Sequence, residues 1–467
     1  MIRLFASKTA NAPAPAAPAN PPKPASNVVN AAIPRASGLS TLLSPEYTAL
    51  KVRLHQRLLD MMNLSALEMM PTEEIRTEVA AMVRELLVAE AVPMSAKDQS
   101  QLTSDILDEV LGLGPLEPLL KDPTIADIMV NTHARVYIER QGKIELTPVH
   151  FKDERHLLRI IDKIVSSVGR RVDESTPMVD ARLKDGSRVN AVVSPIAVDG
   201  ALLSIRKFGT IRPKMTDLIA VGALTEEMAD LLRAIVSGRL NVLIAGGTGS
   251  GKTTMLNAMS SFISDGERIV TIEDAAELQL QQPHVVRLET RPANIEGRGE
   301  ITQRDLVKNS LRMRPDRIVV GEVRAGEAFD MLQAMNTGHD GSMTTIHANS
   351  CRDAITRLEQ MLAMAGFDIP VTSMRQQISS AIHVVVHLER QSDGKRRLGS
   401  VHEITGMEGS ILTMQEIFKF QRQGVDAQGK VLGQHRATGV RPKFMAYLGE
   451  RGISVNAELF RPDRVLA

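Results

Sequence analysis

The segment Asn241–Thr254, NVLIAGGTGSGKTT, holds the residues of this chain best placed to do chemistry. An apolar strand, Val242–Ala245, runs into Gly246, Gly247, Thr248, Gly249, Ser250, Gly251, Lys252, Thr253 and Thr254, and helical spacing follows from Thr253 to Phe262. Glycines let backbone N–H groups converge on phosphate oxygens, and the helix N-terminus adds positive potential. The spacing G-x-x-x-x-G-K-T between a strand and a helix is that of a loop cradling the phosphates of a nucleoside triphosphate such as ATP. In it Lys252 is expected at the β- and γ-phosphates, with the Thr253 hydroxyl on Mg²⁺.

Carboxylates follow on later strands. Glu273, Asp274 and Glu277 come after the apolar run that begins at Arg268, and Glu322 ends Arg317–Glu322. Strand ends at one edge of a parallel sheet are where open α/β folds bind ligands. Gly321 stands where such enzymes usually place an aspartate, so metal coordination there is less direct. Glu273 and Glu322 therefore compete for the general-base role; Glu322 suits Mg²⁺ and water positioning, and Glu273 activation. His339 and His347 bracket Gly341–Thr345, and a neutral imidazole at a strand end can sense a γ-phosphate. Arg182, Arg188 and Arg206 fall on strands of the preceding segment. They are candidates to neutralise transition-state charge if that segment folds over the nucleotide.

The elements that must hold these groups divide the chain. Residues 1–45, rich in Ala, Pro, Asn and Ser, read as a disordered arm. Residues 46–112 read as a small helical bundle, from Leu50, Leu54, Leu58 and Met62, then Ile75, Val79, Met82, Val83, Leu86 and Leu87, then Leu102, Ile106, Val110 and Leu111. Residues 113–206 read as an α+β domain with an antiparallel sheet and a helix over Asp153–Val168 carrying Leu157, Leu158, Ile161, Ile164 and Val165. Residues 207–220 read as a linker. Residues 221–467 alternate strand and helix, predicting an α/β domain with a mostly parallel sheet flanked by helices; beyond about 390 the pattern reads as less regular, with peripheral strands and loops.

With 467 residues and a net charge of +1, nothing in the balance argues for nucleic-acid binding, and the chain has no Trp and three Tyr for base stacking. The single cysteine, Cys351, excludes internal disulfides and four-cysteine zinc modules. No apolar run approaches a membrane span, so a cytoplasmic location is expected, with membrane association through partners.

These stretches resemble the secretion ATPases of type II and type IV secretion, pilus extension and archaellum rotation. Within them the likeness is to the tight-adherence pilus ATPases of the CpaF (TadA-type) group. It is carried by GLGPLEPLL (112–120), TPMVDARLKDGSRVNAV (176–192), LLSIRKF (202–208), GGTGSGKTT (246–254), ERIVTIEDAAEL (267–278), LRMRPDRIVVGEVRAGEAFDML (311–332) and NTGHDGSMTTIHANS (336–350). The resemblance implies a homo-hexameric ring, with ATP between an N-terminal α+β (PAS-like) domain over 113–206 and a C-terminal RecA-like domain over 221–467. It places Glu273 in an "Asp box", Glu322 in the Walker B position and His347 in a "His box", with Arg182, Arg188 and Arg206 as phosphate-contacting arginines. It also implies a place at the inner-membrane face of a pilus or secretion machine, against a platform protein. The rival expectations are a type IV secretion ATPase exporting protein or DNA, a nucleic-acid helicase on the same core, and a nucleotide-binding scaffold without hydrolysis.

Overall fold

The computed structural model describes residues 50–51, 53–54, 57–58, 61, 72–90, 94–140, 142–209, 213–293, 297–462 and 464–466. The arm expected over 1–45 and Met62 lie outside them. The chain divides into two units, 1–106 and 107–467.

In the first unit, Leu50, Leu54 and Leu58 are buried at helical spacing, as are Val79, Val83, Leu86 and Leu87 of α1 (Thr72–Ala89). Arg57 donates to Glu90 at 3.0 Å. Helix α2 (Ala96–Val110) is capped by Ser95, whose hydroxyl accepts the Asp98 N–H at 3.2 Å, and buries Leu102 and Ile106. Each apolar stripe is one helical face, which is why periodicity alone found them.

The second unit holds two sheets. After the short helix α3 (Glu117–Lys121), strands β1 (Ile125–Thr132), β2 (Arg135–Arg140), β3 (Lys143–Leu146), β4 (Met178–Arg182), β5 (Arg188–Val192) and β6 (Leu202–Arg206) form a six-stranded antiparallel sheet in the order β3-β2-β1-β6-β5-β4. Helix α4 (Glu154–Ser167), capped by Asp153 accepting from the His156 N–H at 2.8 Å, packs on one face. Leu157, Ile160, Ile161, Ile164 and Val165 fill that face together with Ile128, Val136, Val189, Leu203 and Ile205 of the sheet. Leu158, expected among them, is instead 39% exposed, because it lies one position round the helix from the buried stripe. Strand residues alternate faces, so Asp127, Arg182, Arg188, Asn190, Ser204 and Arg206 look away from α4.

Beyond Lys214, α5 (Met215–Ala220) occupies the second half of the expected linker, its first turn closed by the Lys214 N–H donating to Asp217 at 2.8 Å. Helix α6 (Glu226–Ser237) then leads to a nine-stranded sheet built from β7 (Val242–Gly246), β8 (Ile269–Glu273), β9 (Val285–Glu289), β10 (Arg317–Val323), β11 (Met343–His347), β12 (Val384–Arg390), β13 (Arg396–Glu408), β14 (Ile411–Val425) and β15 (Val431–Ala437). Their order is β15-β14-β13-β12-β7-β11-β10-β8-β9, parallel from β12 to β9. Helix α7 (Lys252–Ser260) and α6 pack on one face, and α8 (Gln303–Ser310), α9 (Glu327–Asn336), α10 (Cys351–Met364) and α11 (Val371–Ala381) belong to the core on the other. The region after 390 departs from the irregular periphery expected of it. It is an antiparallel continuation of the same sheet, with strands of 13, 15 and 7 residues.

The central strands β7, β8 and β10 are apolar runs buried on both faces, as parallel strands covered by helices require. Among the described residues the largest fully buried side chain is Arg317, at the start of β10. It donates to Glu267 at 2.7 and 2.9 Å and to the carbonyls of Val236 and Gly341 at 2.8 and 3.2 Å. Arg239 adds a third bond to that carboxylate at 2.9 Å.

Candidate functional site

The glycine-rich loop joins the C-terminal end of β7 to α7, in the middle of the nine-stranded sheet. Gly251, at φ +96°, turns the chain into the first residue of α7, a conformation that costs any residue with a Cβ. That turn sets Lys252 at the helix start. Its Nζ donates to the carbonyls of Gly246 and Gly247 at 3.0 and 3.1 Å and stands 4.0 Å from Glu322. Burial holds the ammonium below its ordinary range, with Arg324 and Arg357 adding to the effect against the pull of Glu322. A buried, destabilised cation is what an incoming polyphosphate would relieve.

Glu273 ends β8. One of its oxygens accepts the N–H groups of Glu277 and Leu278 at 2.8 and 2.9 Å, and the other is buried without a partner. Burial raises its pKa above the ordinary carboxyl value of 4.5, against those two hydrogen bonds. The odd glycine at position 321 finds its reason here: a Cβ on it would stand 2.9 Å from the Glu273 Cγ. Neighbouring strands β8 and β10 are thus packed so closely that a side chain at 321 would displace the carboxylate at 273.

Glu322 ends in a salt link with Arg324, which donates to it at 2.9 and 2.6 Å and to Asp274 at 2.9 Å. His347 pairs with Gly246 in the β11–β7 register, level with the first residue of the loop. These side chains line one cleft of about 510 Å³ with Lys252, Thr253, Glu273, Asp274, Gln303, Arg188 and Arg206. His339 does not join them: its ring bonds the Ala334 carbonyl at 3.2 Å, at the end of α9.

The opposite wall comes from the six-stranded sheet. Register places Arg182 opposite Arg188, Arg188 opposite Arg206, and Arg206 opposite Asp127. Three guanidiniums therefore stand in one cross-strand row on the open face, an arrangement that weakens a sheet unless counter-charge meets it. Arg188 reaches across to the Ala275 carbonyl at 3.0 Å and to Glu277 at 3.2 Å, while Arg206 pairs with Asp127 at 3.0 Å. Arg182 pairs with Glu289 at 2.5 Å and lines not the loop's cleft but a neighbouring space of about 1040 Å³. Of the buried side-chain polar atoms without partners among the described residues, Arg182 Nη2, Arg188 Nε, Glu273 Oε1 and Gln303 Oε1 belong to residues that line these two spaces. Such atoms are uncommon in finished interiors and mark where a polar ligand belongs.

Asp274, expected with Glu273 and Glu277, does line the cleft, whereas Arg324 and Arg357 carry no signal in the spacing, because single charged residues on a helix or after a strand look like solvated surface. Among the described residues no group of three or more His, Cys, Asp or Glu could hold a metal alone. Thr253 and Glu322 supply oxygens beside the phosphate loop. That suits Mg²⁺, which binds through one or two protein oxygens and completes its shell with phosphate and water.

A sequence profile described as "Type II/IV secretion system protein" matches residues 109–441. The chain belongs to that family. As a type II/IV secretion system protein it is an ATPase, and it carries its nucleotide-binding motif on a mixed α/β scaffold with an N-terminal and a C-terminal sheet. A putative conjugal transfer protein of Mycobacterium tuberculosis is 40% identical over 309 residues, covering 65% of this chain and 87% of that protein. Conjugal transfer protein TrbB of Rhizobium radiobacter is 34% identical over 299 residues, covering 62% and 86%. Among solved structures, the VirB11 ATPase of the Brucella suis type IV secretion system, in complex with sulphate, is 30% identical. It covers 62% of this chain and 94% of its own, with a TM-score of 0.34. Among the described residues no helix is long and apolar enough to cross a membrane.

Proposed function

We propose that the chain is a hexameric motor that hydrolyses ATP in the cleft between its two sheets and uses their closure to drive assembly of a type IV tight-adherence pilus. One observation carries this reading. Arg188 and Arg206 of the six-stranded sheet line one cleft with the phosphate loop, so bound triphosphate would draw their guanidiniums from Glu277 and Asp127.

In this reading Lys252 binds the β- and γ-phosphates, and the backbone of Gly246–Thr254 cradles them. Thr253 and Glu322 would hold Mg²⁺, which when bound would supply charge neutralisation for phosphoryl transfer. Glu273, buried with a free oxygen and a raised pKa, accepts the proton of the attacking water. His347 lies level with the loop and reads the γ-phosphate. Arg188 and Arg206 close over developing charge, and hydrolysis releases them together with their sheet. A ring working on an inner-membrane platform protein would sum such closures into movement of pilin subunits.

A second reading is an ATPase of a type IV secretion or conjugation machine that exports protein or DNA. The names of the two conjugal transfer relatives favour it. Complementation of a null strain with wild-type chain or Lys252→Ala, scoring surface pili and exported substrate in the same cells, separates the two. Loss of pili with export intact supports the motor for pili; loss of export with pili intact replaces it with the second reading. Steady-state ATPase activity unchanged in Lys252→Ala would refute the site itself.

A further inference from the structure

The β12–β13 hairpin ends on two arginines that the reaction described above leaves unused. Arg390 and Arg396 are its last cross-strand pair, so two like charges stand opposite each other. That pairing weakens an antiparallel ladder unless the guanidiniums are engaged elsewhere. β12 runs beside β7 with Leu388 opposite Gly246, so Arg390 projects past the end of β7, over the phosphate loop. It does so on the flank away from β11 and His347.

Both arginines touch that loop or span from it. Arg396 donates through Nε to the Gly249 carbonyl at 2.8 Å, and its Cδ lies 3.5 Å from where a Cβ on Gly251 would stand. Its stem therefore lies along the loop's second half. Arg390 has Nη1 3.6 Å from the Cβ position of Gly249, and its Nη2 donates to the Gly142 carbonyl at 3.3 Å, in the β2–β3 turn of the six-stranded sheet.

Gly249 and Gly251 both adopt positive φ, +68° and +96°. Glycines at such positions have no side chain to hold their conformation, and they lose more freedom on ordering than other residues. Lys252 and the Ser250 N–H tie the loop's first half, at the Gly246 and Gly247 carbonyls, so a contact from outside has most to add at Gly249 and Gly251. Among the described residues, the outside contact to the Gly249 carbonyl comes from Arg396.

We propose that Arg396 is a positioning residue for the phosphate loop, holding it in its binding shape through the Gly249 carbonyl, and that Arg390 ties the same hairpin end to the Gly142 turn of the six-stranded sheet. The inference rests on the reading of GGTGSGKT as the ATP site. It makes the antiparallel extension of the nine-stranded sheet part of the nucleotide apparatus. It also gives the loop a mechanical link to the arginine-bearing sheet besides the ligand itself.

The test uses the full chain with ATP, in steady-state hydrolysis and in ADP titration. Arg396→Met keeps the stem and removes the donors; Arg396→Lys restores one donor. A charge-assisted bond at a solvent-exposed site predicts a rise in KM and in the ADP dissociation constant of roughly threefold to tenfold for Arg396→Met. The same variant should keep kcat within about twofold, because the bond is made equally in ground and transition states. Arg396→Lys should recover most of the affinity. Arg390→Met should leave ADP affinity near wild type and instead lower kcat, since its bond goes to the opposite sheet. The proposal is overturned if Arg396→Met leaves KM unchanged. It is equally overturned if Met and Lys at 396 lose kcat and melting temperature alike, which would make the arginine a fold element only. Lys252→Ala, run alongside, separates the cases: an active Lys252→Ala sinks the site reading, whereas an inactive one with normal Arg396→Met sinks only the positioning role.

Discussion

Glu273 shows how a single side chain is set for its work. It sits at a strand end with two backbone N–H donors on one oxygen and nothing on the other, in a place that penalises its charge. Because the folded-state pKa is raised, folding is favoured more with the group protonated, and that contribution is lost as pH rises through the folded pKa. The same shift means that the base form appears only above the ordinary carboxyl range, so the acid limb of kcat against pH is expected above pH 4.5. Glu273→Gln keeps an acceptor for Glu277 and Leu278 but removes the buried charge. It is expected to abolish that limb, lower kcat by roughly 10²-fold or more, and raise the melting temperature near neutral pH. A pH–rate profile with calorimetry checks both; an unchanged acid limb would remove Glu273 from the base role. Gly321→Ala is the companion change. Its Cβ would meet the Glu273 Cγ at 2.9 Å, moving the carboxylate while leaving the phosphate loop untouched. A displacement of that size is expected to cost roughly 10²-fold in kcat with ATP affinity near normal, measured by turnover against nucleotide titration.

At the scale of elements, the proposal makes the arginine row on β4, β5 and β6 an anion site set up at some cost in sheet stability. Arg188→Ala removes one of three stacked like charges and a half-exposed pair with Glu277, whose worth to stability is small. The expected result is an unchanged or slightly raised melting temperature together with a fall in kcat of at least about tenfold, as for arginines that meet phosphoryl transfer charge. Arg182→Ala, whose side chain lies toward Glu289, should fall less; equal losses at 182 and 188 would argue against the placement of Arg182 outside the loop's cleft. Much of this site is legible in the residues themselves. The phosphate loop depends only on local chemistry, so strand, glycines, Lys252 and Thr253 announce it, and Glu273 and Glu322 follow as carboxylates at strand ends. The row is not legible, because which arginines stand opposite one another is a matter of register between strands far apart in the chain. The long hairpins after 390 were hidden for a related reason. Strand β13 mixes polar and apolar residues on both faces, burying Leu398, Val401 and Ile404 in two different cores, so strict alternation never appears. Arg396 could be found only once its hairpin was seen to overhang β7.

For the molecule as a whole, the question is whether the cleft works alone or in a ring. Proteins of this family act as oligomers with membrane machinery, and closing one sheet onto another does useful work only when the movement is passed on. If subunits fire in dependence on their neighbours, a subunit that cannot bind nucleotide should silence more than itself. Mixing wild-type chain with Lys252→Ala, under conditions in which subunits exchange, is therefore expected to lower ATPase activity faster than the wild-type fraction falls. Sedimentation of the mixture must show that both chains enter the same assembly, since unmixed rings would give proportionality trivially. With co-assembly shown, strict proportionality between activity and wild-type fraction would mean independent sites, and the coupled-ring motor would fail even though each cleft still hydrolysed ATP. Repeating the titration with Arg390→Met in the wild-type partner then locates the coupling. If the hairpin link to the Gly142 turn carries it, the curve should relax toward proportionality, while a curve of unchanged shape leaves the arginine row and the bound nucleotide as the route between subunits.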